Sequence, residues 1–464
     1  MDITDFDPVQ ISLPAPPQRV HFVGIGGAGV SGLARMLRGM GYEVSGSDMQ
    51  SSAVTDDLRA LGIDVLIGHA AEHVGAAALV VTTAAARDDN PELQAARRAS
   101  IPVIKRAGLL GRLSLERVCL AVAGTHGKST TSGMATLALE TAGLAPSFAV
   151  GAIVRELGAN AGSGSGPHFV VEADEYDYSF LWLRPRVAII TNIEYDHPDL
   201  FPNIAAVLDA FECFTQTIEP GGVLVINSED AGCQALLERL PRDTPFRIVT
   251  FGEWSGDWHF DATGDGTAHV SVPGGQQVAL RLRVPGRHNL RNALAVVAAS
   301  SGLGVSPEEL LPGLERFGGV GRRFEVHLDA PHLVVVDDYA HHPSEIEATI
   351  AAARERYPTR RLVVIFQPHT YSRTLALLPA FATALERADR VILAEIYGSR
   401  ETDSLGVSSA QIAQQMRCPV DLVASAEGAA HAYGRAAEHG DVVVVMGAGD
   451  ITAAASIIAT RASV

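Results

Sequence analysis

The sequence predicts an α/β protein of three domains, each built round a mostly parallel sheet. Three observations carry that expectation. Apolar strands alternate with helical stretches in three successive blocks, the pattern of parallel sheets. Each block starts on an apolar strand that runs into a turn rich in glycine or acidic residues. The chain has 464 residues, 47% apolar and 19% charged, which supplies several buried cores and excludes wholesale disorder.

The first block opens with a strand at residues 20–23, a glycine turn, a helix and a second strand ending at Asp48. Apolar runs at 65–67, 79–81 and 102–104 extend that sheet. The second block begins with a strand at 118–122, followed by Gly124-Thr125-His126-Gly127-Lys128-Ser129-Thr130 and a helix; its strands continue at 169–172, 187–192 and 223–227. Residues 257–284 change character, alternating apolar and polar positions round turns at 263–266 and 273–275, which reads as a small antiparallel sheet. The third block begins at 333–337 and adds strands at 362–366, 391–395 and 442–446. Boundaries near 112 and 320 divide the chain into domains 1–112, 113–320 and 321–464. The Gly-Ser run at 161–166 is expected to be a loop within the second domain. The first and third domains read as Rossmann-like and the second as a P-loop-type ATPase domain.

Composition removes several classes of function. There are 53 acidic residues against 36 basic ones, a net charge of −17. Neutralising a phosphate backbone or an anionic membrane needs a basic face, so neither nucleic acid nor membrane is an expected partner. The opening MDITDFDPVQISLPAPPQR is acidic and proline-rich without an apolar core, unlike a secretory signal. No apolar run approaches the roughly 18 residues of a membrane span. Cys119, Cys213, Cys233 and Cys418 are scattered without metal-ligand spacing and read as reduced thiols of a cytoplasmic protein. Of the 36 basic residues only Lys105 and Lys128 are lysines, so any chemistry that needs an ammonium has two places to find one.

Gly24-x-Gly26-x-x-Gly29 lies between a strand and a helix, with Asp48 about 20 residues on, as in dinucleotide sites. Glycines admit a diphosphate to the backbone and the helix N-terminus supplies amide donors. Taken alone, this turn fits an NAD(P)-dependent dehydrogenase. The second turn departs from the strict P-loop spacing, since Val122 stands where a glycine is required. It keeps a strand, two glycines, a lysine for the β- and γ-phosphates, and a hydroxyl for Mg²⁺ at a helix start, so ATP is the expected cofactor.

At this point a family resemblance becomes specific. Ala123-Gly-Thr-His-Gly-Lys-Ser-Thr130 resembles the ATP loop of the Mur ligases, the ATP-dependent amide ligases of cell-wall peptide synthesis. Glu172-Ala-Asp-Glu-Tyr-Asp177, Thr191-Asn-Ile-Glu-Tyr-Asp-His-Pro198 and Pro285-Gly-Arg-His-Asn-Leu-Arg-Asn-Ala293 are similar to further motifs of that family. So are Asp337-Asp-Tyr-Ala-His-His-Pro343, Phe366-Gln-Pro-His369 and Met446-Gly-Ala-Gly-Asp-Ile451. Their order and spacing are nearest to the alanine-adding branch, and the likeness runs from about residue 19 to the end.

The resemblance implies an enzyme that activates the lactyl carboxylate of UDP-N-acetylmuramate as an acyl phosphate and joins it to L-alanine, with ATP and Mg²⁺. It turns the first motif from NAD towards a UDP moiety, held by Gly24, Gly26, Gly27, Gly29, Ser31, Asp48 and Thr83. It places Gly124, Thr125, Gly127, Lys128, Ser129 and Thr130 on ATP, with Lys128 bridging its β- and γ-phosphates. Ser129, Glu172 and His197 are the implied metal ligands, His197 for a second Mg²⁺. His288 and Asn292 are implied at adenine, Arg323 at the phosphates and Asp338 at the ribose. Tyr339, His341 and His342 are implied near the amino acid and the reaction centre, with Lys128, Glu172, His197 and His341 catalytic. Arg373 suits the carboxylate of the incoming alanine, and Arg400 and Glu401 are placed in the same pocket.

Several members use a carbamylated lysine as an extra metal ligand. No lysine follows Lys128 here, which fits the alanine-adding branch. Ser129 stands where threonine is common and Thr370 where some members carry arginine. A sibling that attaches a ready-made tripeptide to the same sugar nucleotide is the nearest alternative, and a non-catalytic nucleotide switch a more distant one. A monomer or homodimer is expected.

Overall fold

The computed structural model describes residues 3–83, 86–264, 266–275 and 277–462. The first sheet contains β1 (Arg19–Val23), β2 (Glu43–Asp48), β3 (Asp64–Ile67), β4 (Leu79–Thr82) and β5 (Val103–Lys105). All are parallel, in the order β3-β2-β1-β4-β5. The order reverses between β1 and β4, so the glycine turn after β1 opens on the crevice where such sheets bind ligands. Residue 112 lies inside the helix Arg106–Ser114, and residues 115–117 lead into the next sheet.

The second sheet has ten strands: β6 (Val118–Ala123), β7 (Ser147–Val154), β8 (Ala159–Gly162), β9 (His168–Glu172), β10 (Val187–Ile190), β11 (Val223–Asn227), β12 (Arg247–Gly252), β13 (Trp258–Gly264), β14 (Thr267–Ser271) and β15 (Gln277–Arg281). Their order is β15-β14-β13-β12-β11-β10-β6-β9-β7-β8. The antiparallel strands of 257–284 are therefore not a separate sheet. Phe251 and Gly252 of β12 pair with Trp258 and His259 of β13, which covers an edge that would otherwise present unpaired backbone groups. The turn expected at 263–266 includes Asp265, outside the described residues. The expected loop at 161–166 begins inside β8, because Ala161 and Gly162 pair with Ala149 and Phe148 of β7.

The third sheet holds β16 (Glu325–Ala330), β17 (Leu333–Asp338), β18 (Leu362–Phe366), β19 (Arg390–Ala394), β20 (Val420–Val423) and β21 (Asp441–Met446), ordered β16-β17-β21-β18-β19-β20. Only β16 is antiparallel. Val320, at the expected second boundary, bridges to Val154 of the central domain. The residues before β1 pack across the first two domains: the Tyr42 hydroxyl donates to the Pro14 carbonyl at 2.9 Å, the Phe6 ring meets Trp182 edge-on at 5.8 Å, and Arg184 donates to the Phe6 carbonyl at 2.7 Å. All four cysteines are free thiols, and no helix among the described residues is long and apolar enough to cross a membrane.

The helix Lys128–Thr141 is buried continuously from Thr130 to Leu139. It packs against the helices Arg287–Leu303 and Pro307–Arg316 so closely that a Cβ on Gly313 would overlap Ala138 Cα. Gly313→Ala is expected to destabilise the protein by about 1–3 kcal/mol in urea unfolding, because overpacking outweighs the ~1 kcal/mol gained in helix propensity. Unchanged or raised stability refutes this account of the packing.

In the first domain, Glu92 is wholly buried and accepts from Ser47 at 2.6 Å, with His21, His73 and His69 within 3.4 Å. Burial pushes its carboxyl up, but the bonds from His21, Ser47 and His73 prevail and bring it from 4.5 down to about 2. Its contribution to stability is complete above pH 4.5 and is lost as pH falls towards about 2. Acid titration of unfolding is expected to lose part of its slope in that window in Glu92→Gln.

Candidate active site

β6 is buried from Cys119 to Ala123 and delivers the chain into the second glycine turn. Gly124 and Gly127 have φ of +133° and +82°, conformations that other residues adopt at a cost. A Cβ on Gly124 would overlap Thr191 Oγ1, and one on Gly127 would sit 3.0 Å from Asn292 Oδ1. The turn is tied to the loop after β10: Thr125 N–H donates to the Asn192 carbonyl at 3.0 Å and His126 N–H to Asn192 Oδ1 at 2.8 Å. This network holds the open N-terminus of the helix Lys128–Thr141, a ready anion site.

Lys128 Nζ donates to the carbonyls of Gly124 at 2.7 Å and Thr125 at 3.1 Å, and pairs with Glu175 at 2.7 Å. Burial opposes its charge, but Glu175, Asp174 and Glu172 outweigh burial and raise the ammonium above its ordinary value. One cation among three carboxylates leaves negative charge for a metal to neutralise. Ser129, Glu172 and His197 line one cavity of about 500 Å³ beside it. Hydroxyl, carboxylate and imidazole there fit a divalent cation. Gly151 N–H donates to Glu172 at 2.7 Å and orients the carboxylate.

A nucleotide-sized cavity of about 480 Å³ lies on the other side of the turn, lined among others by Gly127, Thr130, His288, Asn292, Arg323 and Asp338. Burial, Arg291 and Arg323 push His288 down to about 4, so its imidazole is neutral. Asp338 caps backbone more than the sequence implies, accepting from Phe324 N and Ala340 N at 2.8 Å each. Burial raises its carboxyl to about 6. Arg323 pairs with Glu345 at 2.9 Å and lies 5.5 Å above the Tyr339 ring.

The central cavity also takes Tyr339, His341, His369 and Arg373 from the third domain. Arg373 is 4% exposed, and its Nε is committed to Asp196 at 2.6 Å. Its Nη1 reaches His369 at 3.3 Å, so a carboxylate ligand meets the remaining N–H edge rather than a free guanidinium. Burial first, aided by Arg373, holds His341 and His369 down to about 3 and about 4. His342 does not line this cavity; it turns towards Glu194 and Tyr195. Nor do Arg400 and Glu401: Arg400 stacks over Tyr176 at 4.8 Å, while Glu401 accepts from Tyr371 N and Ser372 N and caps the helix Tyr371–Leu385. The turn at Gly447–Asp450 is pinned by Gln367, which bonds Asp450 at 2.9 Å and Ile451 N at 3.2 Å.

A third cavity, about 360 Å³, is lined by Gly27, Gly29 and Thr83 of the first domain together with Gly151, Glu172 and Asp174. Gly24, Gly26, Ser31 and Asp48 lie outside it. Asp48, implied at the UDP moiety, turns its carboxylate onto the glycine turn, accepting from Gly26 N at 2.9 Å and Gln50 N at 3.3 Å. Ser31 is buried in the helix Ala28–Gly39. Lys105 points away and pairs with Asp177 at 3.0 Å; its neighbour Arg106 lines the cavity instead, its guanidinium against Gly29.

The three cavities form a series. Gly127, Arg323 and Glu345 line both the nucleotide and the central cavity, and Gly151, Glu172 and Asp174 line both the central and the first-domain cavity. Glu175, Glu194 and Asp196 stand inside the sequence motifs without an implied role. The acidic run ending β9 was the available signal for Glu175. His126 stands inside the phosphate-loop motif without a role of its own, while Glu345 and Arg106 read locally as ordinary helix residues and carry no sequence signal.

Three sheets round a phosphate loop, feeding one chain of cavities, define a multidomain nucleotide-dependent enzyme. The family models described as "Mur ligase family, catalytic domain", "Mur ligase middle domain" and "Mur ligase, glutamate ligase domain" match residues 19–117, 122–300 and 322–449. The chain belongs to the Mur ligase family. The first glycine turn is therefore part of a Mur ligase N-terminal domain, and the dehydrogenase reading falls. The UDP-N-acetylmuramate–L-alanine ligase of Mycobacterium tuberculosis is 44% identical over 95% of this chain and 94% of that protein. Its counterpart in Saccharopolyspora erythraea is 43% identical over 97% and 94%. Among solved structures, the UDP-N-acetylmuramate–alanine ligase of Thermotoga maritima matches with TM-score 0.79 and 32% identity, covering 96% of this chain and 99% of that one. A murein peptide ligase from Psychrobacter arcticus matches with TM-score 0.73 and 25% identity over 96% and 98%.

Glu175→Gln leaves Lys128 without its closest counter-charge and is expected to lower turnover about 100-fold. Binding in the first-domain cavity, measured calorimetrically with UDP-N-acetylmuramate, is expected to stay within about threefold of the parent. A variant with parental turnover would show that Glu175 does not set the lysine.

Proposed function

We propose that this chain joins L-alanine to the lactyl carboxylate of UDP-N-acetylmuramate, splitting ATP to ADP and phosphate, in cytoplasmic peptidoglycan precursor synthesis. The observation that carries the reading is the series of three cavities, with the phosphate loop at one junction and Glu172 at the other. A sugar nucleotide entering from the first domain and ATP from the second would bring carboxylate and γ-phosphate together in the central cavity.

The reaction needs a carboxylate turned into an acyl phosphate, because an unactivated carboxylate has no adequate leaving group. A carboxylate oxygen takes the γ-phosphoryl group and ADP leaves. The alanine nitrogen, having lost its ammonium proton, then adds to the acyl carbon, and phosphate leaves from the tetrahedral intermediate. Lys128 sits where the β- and γ-phosphates would lie and holds its charge. Arg323, at the junction of the two cavities, would meet the phosphoryl group in flight. Ser129, Glu172 and His197 would hold Mg²⁺, which supplies charge neutralisation on the phosphoryl oxygens. Arg373, aimed by Asp196, would take the alanine carboxylate on its free edge. His341 and His369, held neutral, can accept hydrogen bonds from the amine.

Purified protein with UDP-N-acetylmuramate, Mg²⁺ and ATP is expected to release phosphate only when L-alanine is added, and mass spectrometry to find the alanyl product. Release that is absent, or equal with every amino acid, sinks the proposal. Lys128→Ala is expected to abolish turnover while UDP-N-acetylmuramate still binds. The likeness to a murein peptide ligase supplies a second reading, in which a tripeptide replaces alanine. Offering both acceptors in competition separates the two.

A further inference from the structure

Outside Ser129, Glu172 and His197, one group of His and Glu side chains among the described residues brings a ligand atom from each member together: His126, Glu194 and His342. His126 belongs to the phosphate loop, Glu194 to the loop after β10, and His342 to the turn that opens the helix Pro343–Arg356 of the third domain. One ligand atom from each lies within 4.8 Å of the others. His126 Nε2 is 3.7 Å and His342 Nδ1 3.6 Å from the same oxygen, Glu194 Oε2. The two rings face each other with centroids 4.6 Å apart.

Their outer contacts decide which ring nitrogens face inward. His342 Nε2 lies 3.3 Å from the Tyr195 carbonyl, which can only accept. That nitrogen therefore carries the hydrogen, and Nδ1 presents a lone pair, to which Ser344 N–H also points at 3.4 Å. His126 Nδ1 lies 3.5 Å from Glu345 Oε1, again an acceptor, so this nitrogen too carries a hydrogen. His126 Nε2 is buried without a hydrogen-bond partner. Imidazoles whose far N–H is held by a carboxylate or a backbone carbonyl are the usual outer arrangement of metal sites. Two ring nitrogens and a carboxylate converge there on one point, an arrangement that a cation can occupy. The carboxylates of Glu194 and Glu345 favour a proton on His126, and Ser344 Oγ donates to Glu194 Oε2 at 2.5 Å, so an ion entering the site takes the place of that proton.

We propose that His126 Nε2, His342 Nδ1 and the Glu194 carboxylate form a site for a divalent transition-metal ion of the zinc type. Two imidazoles and a carboxylate with an open fourth position are a zinc donor set, whereas Mg²⁺ prefers oxygen ligands. The site is thus chemically distinct from Ser129, Glu172 and His197. His126 and Glu194 also line the nucleotide cavity, and His342 comes from the third domain. An ion held there clamps that domain over the phosphate loop. This inference does not rest on the proposed reaction. The groups facing His126 are Glu194, Glu345 and His342, with Arg323 behind Glu345; an ion displaces the His126 proton, so binding weakens as pH falls.

The test is a titration of the full chain, free of nucleotide and Mg²⁺, with Co²⁺ followed by its tetrahedral visible absorption and displaced by Zn²⁺. One equivalent with proton release is expected. Affinity should fall about tenfold or more in His342→Ala and Glu194→Gln, and in the outer-contact variant Glu345→Gln. It should hold in Glu172→Gln and His197→Ala. Near-ultraviolet circular dichroism identifies any variant that is misfolded, and the remaining variants of the set then carry the test. No absorption in the parent chain overturns the proposal. So does absorption that survives all three ligand-side changes, or that disappears in Glu172→Gln.

Discussion

The pairing of Lys128 with Glu175 is the interaction on which the rest of the centre depends. A buried ammonium is costly unless paired and hydrogen-bonded. Here one carboxylate and two backbone carbonyls of the loop itself hold it. Those carbonyls are presented only because Gly124 and Gly127 fold the turn back on itself. Glu172 and Asp174, from the same strand end, add further negative charge to the ammonium's surroundings. The protein therefore has a fixed cation and a fixed anionic surround side by side at the end of one sheet.

The second constraint is closure between domains. Ser344 Oγ donates to Glu194 at 2.5 Å, Glu345 lies 3.5 Å from His126 of the phosphate loop, and Arg373 of the third domain bonds Asp196 of the second at 2.6 Å. Asp196 is 5% exposed, and burial raises its carboxyl while Arg373 and the neighbouring histidines bring it well below the usual range. These contacts complete the central cavity, which neither domain forms alone. Although the chain as a whole is acidic, Lys128, Arg322, Arg323 and Arg373 all line that cavity.

Much of the fold was legible in the chain. Parallel strands such as β10, β11, β17 and β21 are buried on both faces and so appear as unbroken apolar runs. The strands that escaped notice, β7, β8, β12, β16 and β20, carry small, polar or charged residues among their apolar ones, so no clear run marks them. The antiparallel hairpins were visible as alternation, but their union with β12 depends on the pairing of Phe251 and Gly252 with Trp258 and His259, which no local pattern encodes.

The sequence by itself determined where the glycine turns and the phosphate-loop motif fall. Glycine spacing, a near absence of lysine and ordered acidic motifs are local, and backbone conformation follows them directly. Only the tertiary structure decided partnership. Asp48 caps its own glycine turn, Arg106 lines the first-domain cavity while Lys105 pairs with Asp177, and Glu175 is the acid that grips Lys128. Arg373 is half spent on Asp196, and His126 finds Glu194, Glu345 and His342 from distant segments. Charge and hydrogen-bond partners are chosen by distance in space, and in a chain folded into three docked domains that distance bears no relation to position along the sequence.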